Sequence, residues 1–271
     1  MSRKISVALI GAGSMGGGLL RGWLEKRVID SASSAVFDPA PHPSIIEQTT
    51  SHGVKLNPDL ASARFDALVV AVKPQAAADA VPKYAPLAQN ALVISVMAGK
   101  SIAAIRALAP GAGKIVRAMP SLPAAIGVGA TAIFAPAEIG ADDRGIAETL
   151  MAAVGEAIWV GSEDAIDAVT AVSGSGPAYF FLLGEALAEA ARAVGLSDDA
   201  AARLARATLV GAGAYAAQDA RSLAELRRAV TSPGGTTEAA LEILDGDDKA
   251  LRALLTKAVR AASRRASELK Q

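Results

Sequence analysis

The residues best suited to chemistry are three closely spaced glycines near the start of the chain. Gly11, Gly13 and Gly16 follow the apolar run Ile5–Ile10 and precede apolar residues at helical spacing. In a strand–turn–helix of this kind, the first glycine allows the tight turn and the second lets a pyrophosphate approach the backbone. The third lets the helix pack against the strand, and the helix N-terminus offers N–H groups to the phosphates. An ordinary glycine turn is the alternative, but the context favours a dinucleotide site at Gly11, Gly13, Ser14, Met15 and Gly16.

An acidic residue stands where such a site would need one for the ribose. Asp38 ends the second apolar run, about 20 residues beyond the glycines, where a carboxylate accepts hydrogen bonds from the ribose 2′-OH. It would favour NADH and repel the 2′-phosphate of NADPH, and the loop after it lacks an Arg or Lys. Equally, Asp38 could simply begin a turn before Pro39.

Two further turns follow apolar runs and should lie at the same edge of a parallel sheet. Ala71, Val72, Lys73 and Pro74 end the fourth run, and Ala98-Gly99 follows the fifth. Ligands of doubly wound sheets bind at the carboxyl ends of the strands, so we expect these turns to line the nicotinamide side. Lys73, the only charged residue among them, could instead cap a helix.

A second glycine-rich loop lies far along the chain. Its residues precede a helical pattern, and its glycines let the backbone N–H groups converge on one point, which suits a carboxylate. The predicted contacts are Ser232, Gly234, Gly235 and Thr236. A capped helix start with a Pro-Gly turn is the simpler alternative. Another break, at 173–177, includes Ser175 and is either a close approach to a ligand or a relieved helix kink.

Strand and helix signals alternate through the first part of the chain. The strand candidates are Ile5–Ile10, Ala35–Asp38, Val54–Leu56, Ala67–Val72, Ala91–Met97, Lys114–Met119, Ala130–Ala135 and Ala157–Val160. After Gly161 only helical patterns remain, over 163–172, 177–194, 198–218, 222–229, 236–245 and 247–269. Alternating apolar strands and helices imply a mostly parallel sheet covered on both faces. We therefore predict an α/β protein: a Rossmann-type doubly wound domain at 1–162 and an all-helical domain at 163–271.

Composition excludes several classes of function. The 271 residues carry 27 basic and 27 acidic side chains, so net charge gives no case for nucleic acid or an acidic membrane surface. No cysteine is present, which excludes disulfides and thiolate catalysis, and two histidines make a metal cluster or a Ser-His-Asp triad improbable. The longest uncharged stretch, 118–137, contains three prolines and reads as loop and strand. No export signal is visible before the first strand, so we expect a cytoplasmic protein. The lack of cysteine and the small number of histidines lead us to expect no metal site.

Four further stretches, in this order, carry a family resemblance. AVKPQ at 71–75, VRAMPSLPA at 116–124, VSGSGPAYFF at 172–181 and VTSPGGTTEAAL at 230–241 closely resemble pyrroline-5-carboxylate reductases, over nearly the whole chain. The resemblance implies reduction of L-1-pyrroline-5-carboxylate to L-proline by NADPH or NADH, the last step of proline biosynthesis. It implies that Thr237 forms a hydrogen bond with the ring nitrogen of the substrate. It also implies that the helical domain forms a homodimer, with dimers often assembled into decamers.

One departure from the family pattern concerns the nicotinamide pocket. The family usually has Asn-Thr in its Met-Pro-Asn-Thr-Pro motif, whereas this chain has Ser121-Leu122. Serine keeps a hydrogen-bonding group, but Leu122 lacks a hydroxyl. The departure therefore concerns the detail of the pocket rather than the reaction.

Two other functions remain as alternatives. A related imine reductase or small dehydrogenase could share the architecture, although a hydroxyacid dehydrogenase would be expected to carry a catalytic Lys with a nearby Asn, and residues 163–194 contain neither. A nucleotide-binding regulator without turnover would have no use for the carboxylate loop at 232–237.

Overall fold

The computed structural model describes residues 4–60 and 64–268 and contains strands at all eight predicted places. They are β1 (Val7–Ile10), β2 (Ala35–Phe37), β3 (Lys55–Leu56), β4 (Ala67–Val70), β5 (Leu92–Ser95), β6 (Ile115–Pro120), β7 (Gly129–Phe134) and β8 (Gly155–Trp159). They form one sheet in the order β3-β2-β1-β4-β5-β6-β7-β8. The order reverses between β1 and β4, which creates the crevice where doubly wound sheets bind ligands.

Both faces of this sheet are buried along β1, β2, β4 and β5, as continuous apolar strands require, whereas β8 at the edge is partly exposed. Successive side chains point to opposite faces, so neighbouring residues of one strand belong to different cores. Leu9, Val69 and Ile94 pack in one core with Trp23, whereas Ile10, Val70 and Val93 pack in the other with Ile105.

The short connection between β6 and β7 explains why these two strands pair antiparallel. These strands pair antiparallel, with Ala118 opposite Ile133, while every other neighbouring pair in the sheet is parallel. Only residues 121–128 join them, including a 3₁₀ turn at Leu122–Ile126. A parallel return needs a crossover of a dozen or more residues, so this short connection reverses the chain. The prediction of a mostly parallel sheet is confirmed.

Helices cover the sheet in the first part of the chain. They are α1 (Ser14–Glu25), α2 (Pro43–His52), α3 (Ala77–Ala80), α4 (Ala85–Ala88), α5 (Ile102–Leu108), α6 (Ala141–Ala152) and α7 (Ala165–Val169). Helix α1 is anchored to α6 where the Trp23 Nε1–H donates to the Leu150 carbonyl at 2.8 Å. At the start of α5, the Ser101 hydroxyl accepts the Ala104 N–H. A π-helical turn, Thr170–Gly174, continues α7.

The rest of the described chain is helical, as predicted. It contains α8 (Gly176–Ala193), α9 (Asp198–Gln218), α10 (Leu223–Ala229), α11 (Thr236–Asp245) and α12 (Ala250–Glu268). The last position of the predicted helix at 247–269 lies outside the described residues. Helices α8 and α9 pack together, with Leu209 near Gly184. Large apolar side chains remain exposed in this single chain, among them Phe180, Phe181, Leu182, Val210 and Ile243, and such a surface is typical of a protein interface.

Contacts group the chain into two compact units. The first contains the described residues up to Ser175 and those from Ala262 onward, and the second is Gly176–Ala261. The division into domains at 1–162 and 163–271 stays a prediction.

One helical stretch of the described chain, Ala165–Ala193, is long and apolar enough to cross a membrane by length and composition. An 18-residue window within it has a mean hydropathy of 1.2, and a single stretch of this kind is weak evidence for a membrane span.

Candidate active site

The glycine turn has the geometry that a dinucleotide site requires. Gly11 has φ +84°, a conformation that favours glycine, and a Cβ on Gly16 would lie 2.0 Å from the Gly11 carbonyl oxygen. Helix α1 can therefore approach β1 only because residue 16 has no side chain. A Cβ on Gly13 would meet nothing within 4 Å, so the space above Gly13 is open to a ligand.

A cavity of about 500 Å³ opens beside this turn, entirely within the first compact unit. It lies at the carboxyl ends of β1, β2 and β4, and its lining includes Gly11, Gly13, Asp38, Ala71, Val72 and Lys73. These six predicted cofactor residues therefore come together around one space. Ser14, Met15, Gly16, Pro74, Ala98 and Gly99 lie outside this lining.

Asp38 already has backbone partners in this structure. Its carboxylate accepts the Ala12 N–H at 2.8 Å and the Ala40 N–H at 2.9 Å. The side chain of Asn57 holds the backbone of Asp38 from both sides, accepting its N–H at 2.9 Å and donating to its carbonyl at 2.8 Å. Asp38 therefore begins the turn that the sequence suggested and also presents its charge to the cavity.

Tyr84 and Lys83 also line the cavity. Burial, and secondarily the negative charge of Asp38, raise the pKa of the Tyr84 phenol, because both disfavour phenolate. The ring packs at a tilt against Phe37, with centroids 5.0 Å apart. The cavity thus has an aromatic wall and both signs of charge.

The remaining predicted turns occupy the expected strand ends. Lys73 is the N-cap residue of a 3₁₀ turn at Pro74–Ala76 that follows β4. Gly99, with φ +70°, lies between the end of β5 and the start of α5. Both turns lie at carboxyl ends of neighbouring parallel strands.

The two residues that depart from the family motif have different roles here. Ser121 is 4% exposed, and its hydroxyl accepts the Ala130 N–H at 3.0 Å, which fastens the start of the loop to β7. Leu122 is 55% exposed. The serine therefore serves the backbone, while the leucine offers an apolar surface beside the end of β6.

Ser175 ends the π-helical turn. Its N–H donates to the Thr170 carbonyl at 2.8 Å, five residues back, and the Ser173 hydroxyl bonds the Val169 carbonyl. A Cβ on Gly174 would lie 3.3 Å from the Cε of Met119, so a small residue permits this approach to β6. Single π-turns inside helices often mark functional sites.

The second glycine-rich loop lies in the second compact unit, between α10 and α11. Gly234 has φ +68°, and the Gly235 N–H closes a turn to the Ser232 carbonyl at 3.0 Å. Gly235 is the N-cap residue of α11 and has no side chain to cap the helix. The first N–H groups of α11, at Thr236 and Thr237, have no partner within the helix by geometry. This leaves N–H donors at the place where the sequence predicts a carboxylate.

An ion-pair network braces the helices that flank this loop. Asp245, at the end of α11, binds Arg227 of α10 at 2.8 Å and also Arg252 of α12. Hydrogen bonds from Arg252, followed by Arg227, lower the pKa of the Asp245 carboxyl to about 2 against the penalty of desolvation. The loop therefore starts and ends on helices that share one carboxylate.

Three charged residues near these sites have no role that the sequence pattern predicts. Arg117 is 2% exposed and binds Glu163 at 3.0 Å, and Glu238 accepts the Gly234 N–H at 2.7 Å. A charged side chain inside the apolar strand 115–120 was a signal that could have singled out Arg117. Nothing in the local pattern indicates that Glu163 is its partner.

Together, these features define a class: a nicotinamide-dependent oxidoreductase with a doubly wound cofactor unit and a helical unit. Two family models match this chain. They are "NADP oxidoreductase coenzyme F420-dependent" over residues 6–99 and "Pyrroline-5-carboxylate reductase dimerisation" over residues 163–269.

Individual relatives make the class specific. The pyrroline-5-carboxylate reductase of Pseudomonas aeruginosa is 40% identical over 97% of this chain and 96% of its own length. That of Synechocystis is 36% identical over 98% of both chains. The solved pyrroline-5-carboxylate reductase of Coxiella burnetii superposes with a TM-score of 0.90 at 36% identity, covering 99% of this chain and 100% of that chain. The chain belongs to the pyrroline-5-carboxylate reductase family.

Proposed function

We propose that this chain reduces L-1-pyrroline-5-carboxylate to L-proline in proline biosynthesis, with NADPH or NADH as the reductant. The observation that supports this function most directly is the 40% identity, over 97% of this chain, to the pyrroline-5-carboxylate reductase of Pseudomonas aeruginosa. The chain is an enzyme of this family, and we assign the roles of its individual residues.

The cavity beside the glycine turn fits a dinucleotide. The open space over Gly13 is the place where a pyrophosphate would be cradled, since any side chain there would fill it. The residues that would hold the cofactor are Gly11, Gly13, Ser14, Met15, Gly16, Asp38, Ala71, Val72, Lys73, Pro74, Ala98 and Gly99. The bound cofactor supplies a hydride, and the protein contributes orientation and exclusion of water.

The loop before α11 fits the carboxylate of the substrate. The positive end of the α11 dipole and the N–H groups at its start favour an anion. We assign carboxylate binding to Ser232, Gly234, Gly235 and Thr236, and a polar contact with the substrate to Ser175. The N–H groups of Gly234 and Gly235 already donate to Glu238 and Ser232, so the amides of Thr236 and Thr237 are the better donors in this conformation.

Reduction of a C=N bond adds a hydride to carbon and a proton to nitrogen. Thr237, in the first turn of α11, is assigned the hydrogen bond to the ring nitrogen. A threonine hydroxyl is a feeble acid, so it orients the nitrogen or relays a proton from water rather than ionising. A protonated imine is already a good electrophile, and no strong acid residue is required.

The apolar surface of α8, α9 and α11 is proposed as the interface of a homodimer. The match of residues 163–269 to a dimerisation profile supports this, as do the exposed side chains of Phe180 and Leu182. We further propose that dimers assemble into a decamer. The location proposed for the protein is cytoplasmic, without membrane or nucleic-acid contacts. Light scattering tests the assembly, and a monomer would contradict it.

Cofactor oxidation with pyrroline-5-carboxylate, measured in parallel with NADH and NADPH, tests the function. We expect turnover with proline as the identified product. Failure with both cofactors would contradict the proposal, and a panel of other cyclic imines would then distinguish a related imine reductase from a protein without turnover.

A further inference from the structure

A buried cation lies at the carboxyl edge of the sheet, outside the cavity described above. Arg117 belongs to β6, and its Cα pairs with that of Ser95, the last residue of β5. The side chain is 2% exposed. A guanidinium stays protonated in proteins, so a buried one needs a counter-ion.

Glu163 supplies that counter-ion and makes a second bond with the same oxygen. Its Oε1 accepts the Arg117 Nη1–H at 3.0 Å and the Ile102 N–H at 2.7 Å. Ile102 begins α5, just after the Ala98-Gly99 turn. One carboxylate therefore ties β6 and the far end of that turn to the segment that leads into α7.

We propose that Arg117 and Glu163 are positioning residues for hydride transfer. Their pair holds the end of the Ala98-Gly99 turn at Ile102 and thereby sets where the nicotinamide lies. Gly99, at φ +70°, has access to more backbone conformations than other residues, so a bond at Ile102 restricts this turn from outside. The inference rests on the proposed function, which assigns Ala98 and Gly99 to the nicotinamide side.

A purely structural role predicts a different pattern of effects. Removing Glu163, whose side chain is 28% exposed, leaves the buried charge of Arg117 uncompensated and destabilises the fold, whereas replacing both partners by apolar residues is often neutral. If the pair only supports the fold, a double replacement restores both stability and activity. If the pair positions the turn, the double replacement restores stability but leaves hydride transfer slow, because Ile102 has lost its acceptor.

The test compares Glu163→Gln, Glu163→Leu and the double variant Arg117→Met/Glu163→Leu with the wild type. Two quantities are measured at a temperature below the melting midpoint of every variant. The first is the single-turnover rate of nicotinamide oxidation with pyrroline-5-carboxylate at saturating NADPH, and the second is affinity for the adenosine bisphosphate fragment of NADP, which lacks the nicotinamide. Lys114→Gln is the matched control, because Lys114 pairs with Asp143 at 2.8 Å near the opposite end of β6.

We expect the double variant to melt above Glu163→Leu, to bind the fragment as the wild type does, and to transfer hydride on the order of 10- to 100-fold more slowly, the scale of a slightly misplaced reactant. Glu163→Gln, which keeps an acceptor for Ile102, should lie between the wild type and Glu163→Leu. Lys114→Gln should change neither quantity.

Recovery of the transfer rate together with stability in the double variant would overturn the inference, as would parallel loss of transfer and fragment binding. If the variants do not fold, Arg117→Lys and Glu163→Asp keep both charges. The same comparison of the hydride-transfer rate with the fragment affinity then decides. Failure of the proposed function appears separately, as absence of turnover in the wild type.

Discussion

The Glu238 carboxylate accepts a hydrogen bond from the N–H of Gly234 at 2.7 Å, inside the loop assigned to the substrate carboxylate. Glu238 is the third residue of α11, where glutamate commonly reaches back to cap the N-terminus of its own helix. Here the donor lies one residue before the N-cap Gly235, and the contact places a negative charge beside the proposed anion site. The same contact therefore shapes the loop and would oppose the negative charge of a carboxylate bound there.

Replacing Glu238 by Gln should lower the KM for pyrroline-5-carboxylate by about 2- to 5-fold, which corresponds to ~0.5–1 kcal/mol of repulsion between partly exposed charges. Glutamine keeps an acceptor for the Gly234 N–H, so the loop should keep its form. Steady-state kinetics at varied substrate measures the effect. Glu242→Gln, one turn further along α11, is the control, and an unchanged or raised KM for Glu238→Gln would refute the repulsion.

Two glycines of the turn should respond to a side chain in opposite ways. Gly13→Val places its side chain in open space, so we expect a normal melting midpoint and cofactor affinity lower on the order of 100-fold, about 2.7 kcal/mol. Gly16→Ala forces a Cβ against the Gly11 carbonyl oxygen and should destabilise the fold by about 1–3 kcal/mol. Thermal melts and cofactor titrations separate the two, and normal cofactor binding by Gly13→Val would overturn the assignment.

Asp38→Asn tests the control of cofactor preference. Removing the negative charge from the cavity wall should raise the ratio of kcat/KM for NADPH to that for NADH by about tenfold, or ~1.4 kcal/mol. The measurement is kcat/KM with each cofactor for the wild type and the variant. Asp142→Asn, on α6, serves as the control, and an unchanged ratio would show that the charge of Asp38 serves only its turn.

Thr237→Ala should lower kcat by about 10- to 100-fold with little change in cofactor KM, since a hydrogen bond to a reacting group is worth ~1–3 kcal/mol. Thr237→Ser retains the hydroxyl and should keep most of the activity. If Thr237→Ala turns over like the wild type, the hydroxyl has no part in the reaction.

The acid stability of the second unit should depend on Asp245. Its arginine partners lower the pKa of the carboxyl from 3.8 to about 2, so its contribution is present above pH 3.8 and is lost as the pH falls through about 2. The melting midpoint of Asp245→Asn should therefore fall less steeply than that of the wild type across this range. Asp247→Asn is the control, and identical slopes for Asp245→Asn and wild type would contradict the prediction.

The sequence alone determined the sheet and the helices that follow it. Apolar runs such as 67–72 leave no polar face, so they become strands covered on both sides, and the glycine spacing at 11–16 requires a close helix–strand contact. The family also follows from the sequence, because its motifs lie in short segments whose order is visible along the chain.

Only the tertiary structure decided which charged groups meet. Glu163 lies 46 residues from Arg117 and 61 from Ile102, yet one of its oxygens binds both. Likewise, Asp38 reaches the Ala12 N–H across 26 residues. Apolar periodicity is a local property because it follows the geometry of one strand or helix. The partner of a charge depends instead on which distant segments the fold brings within about 3 Å of it, and no local pattern contains that information.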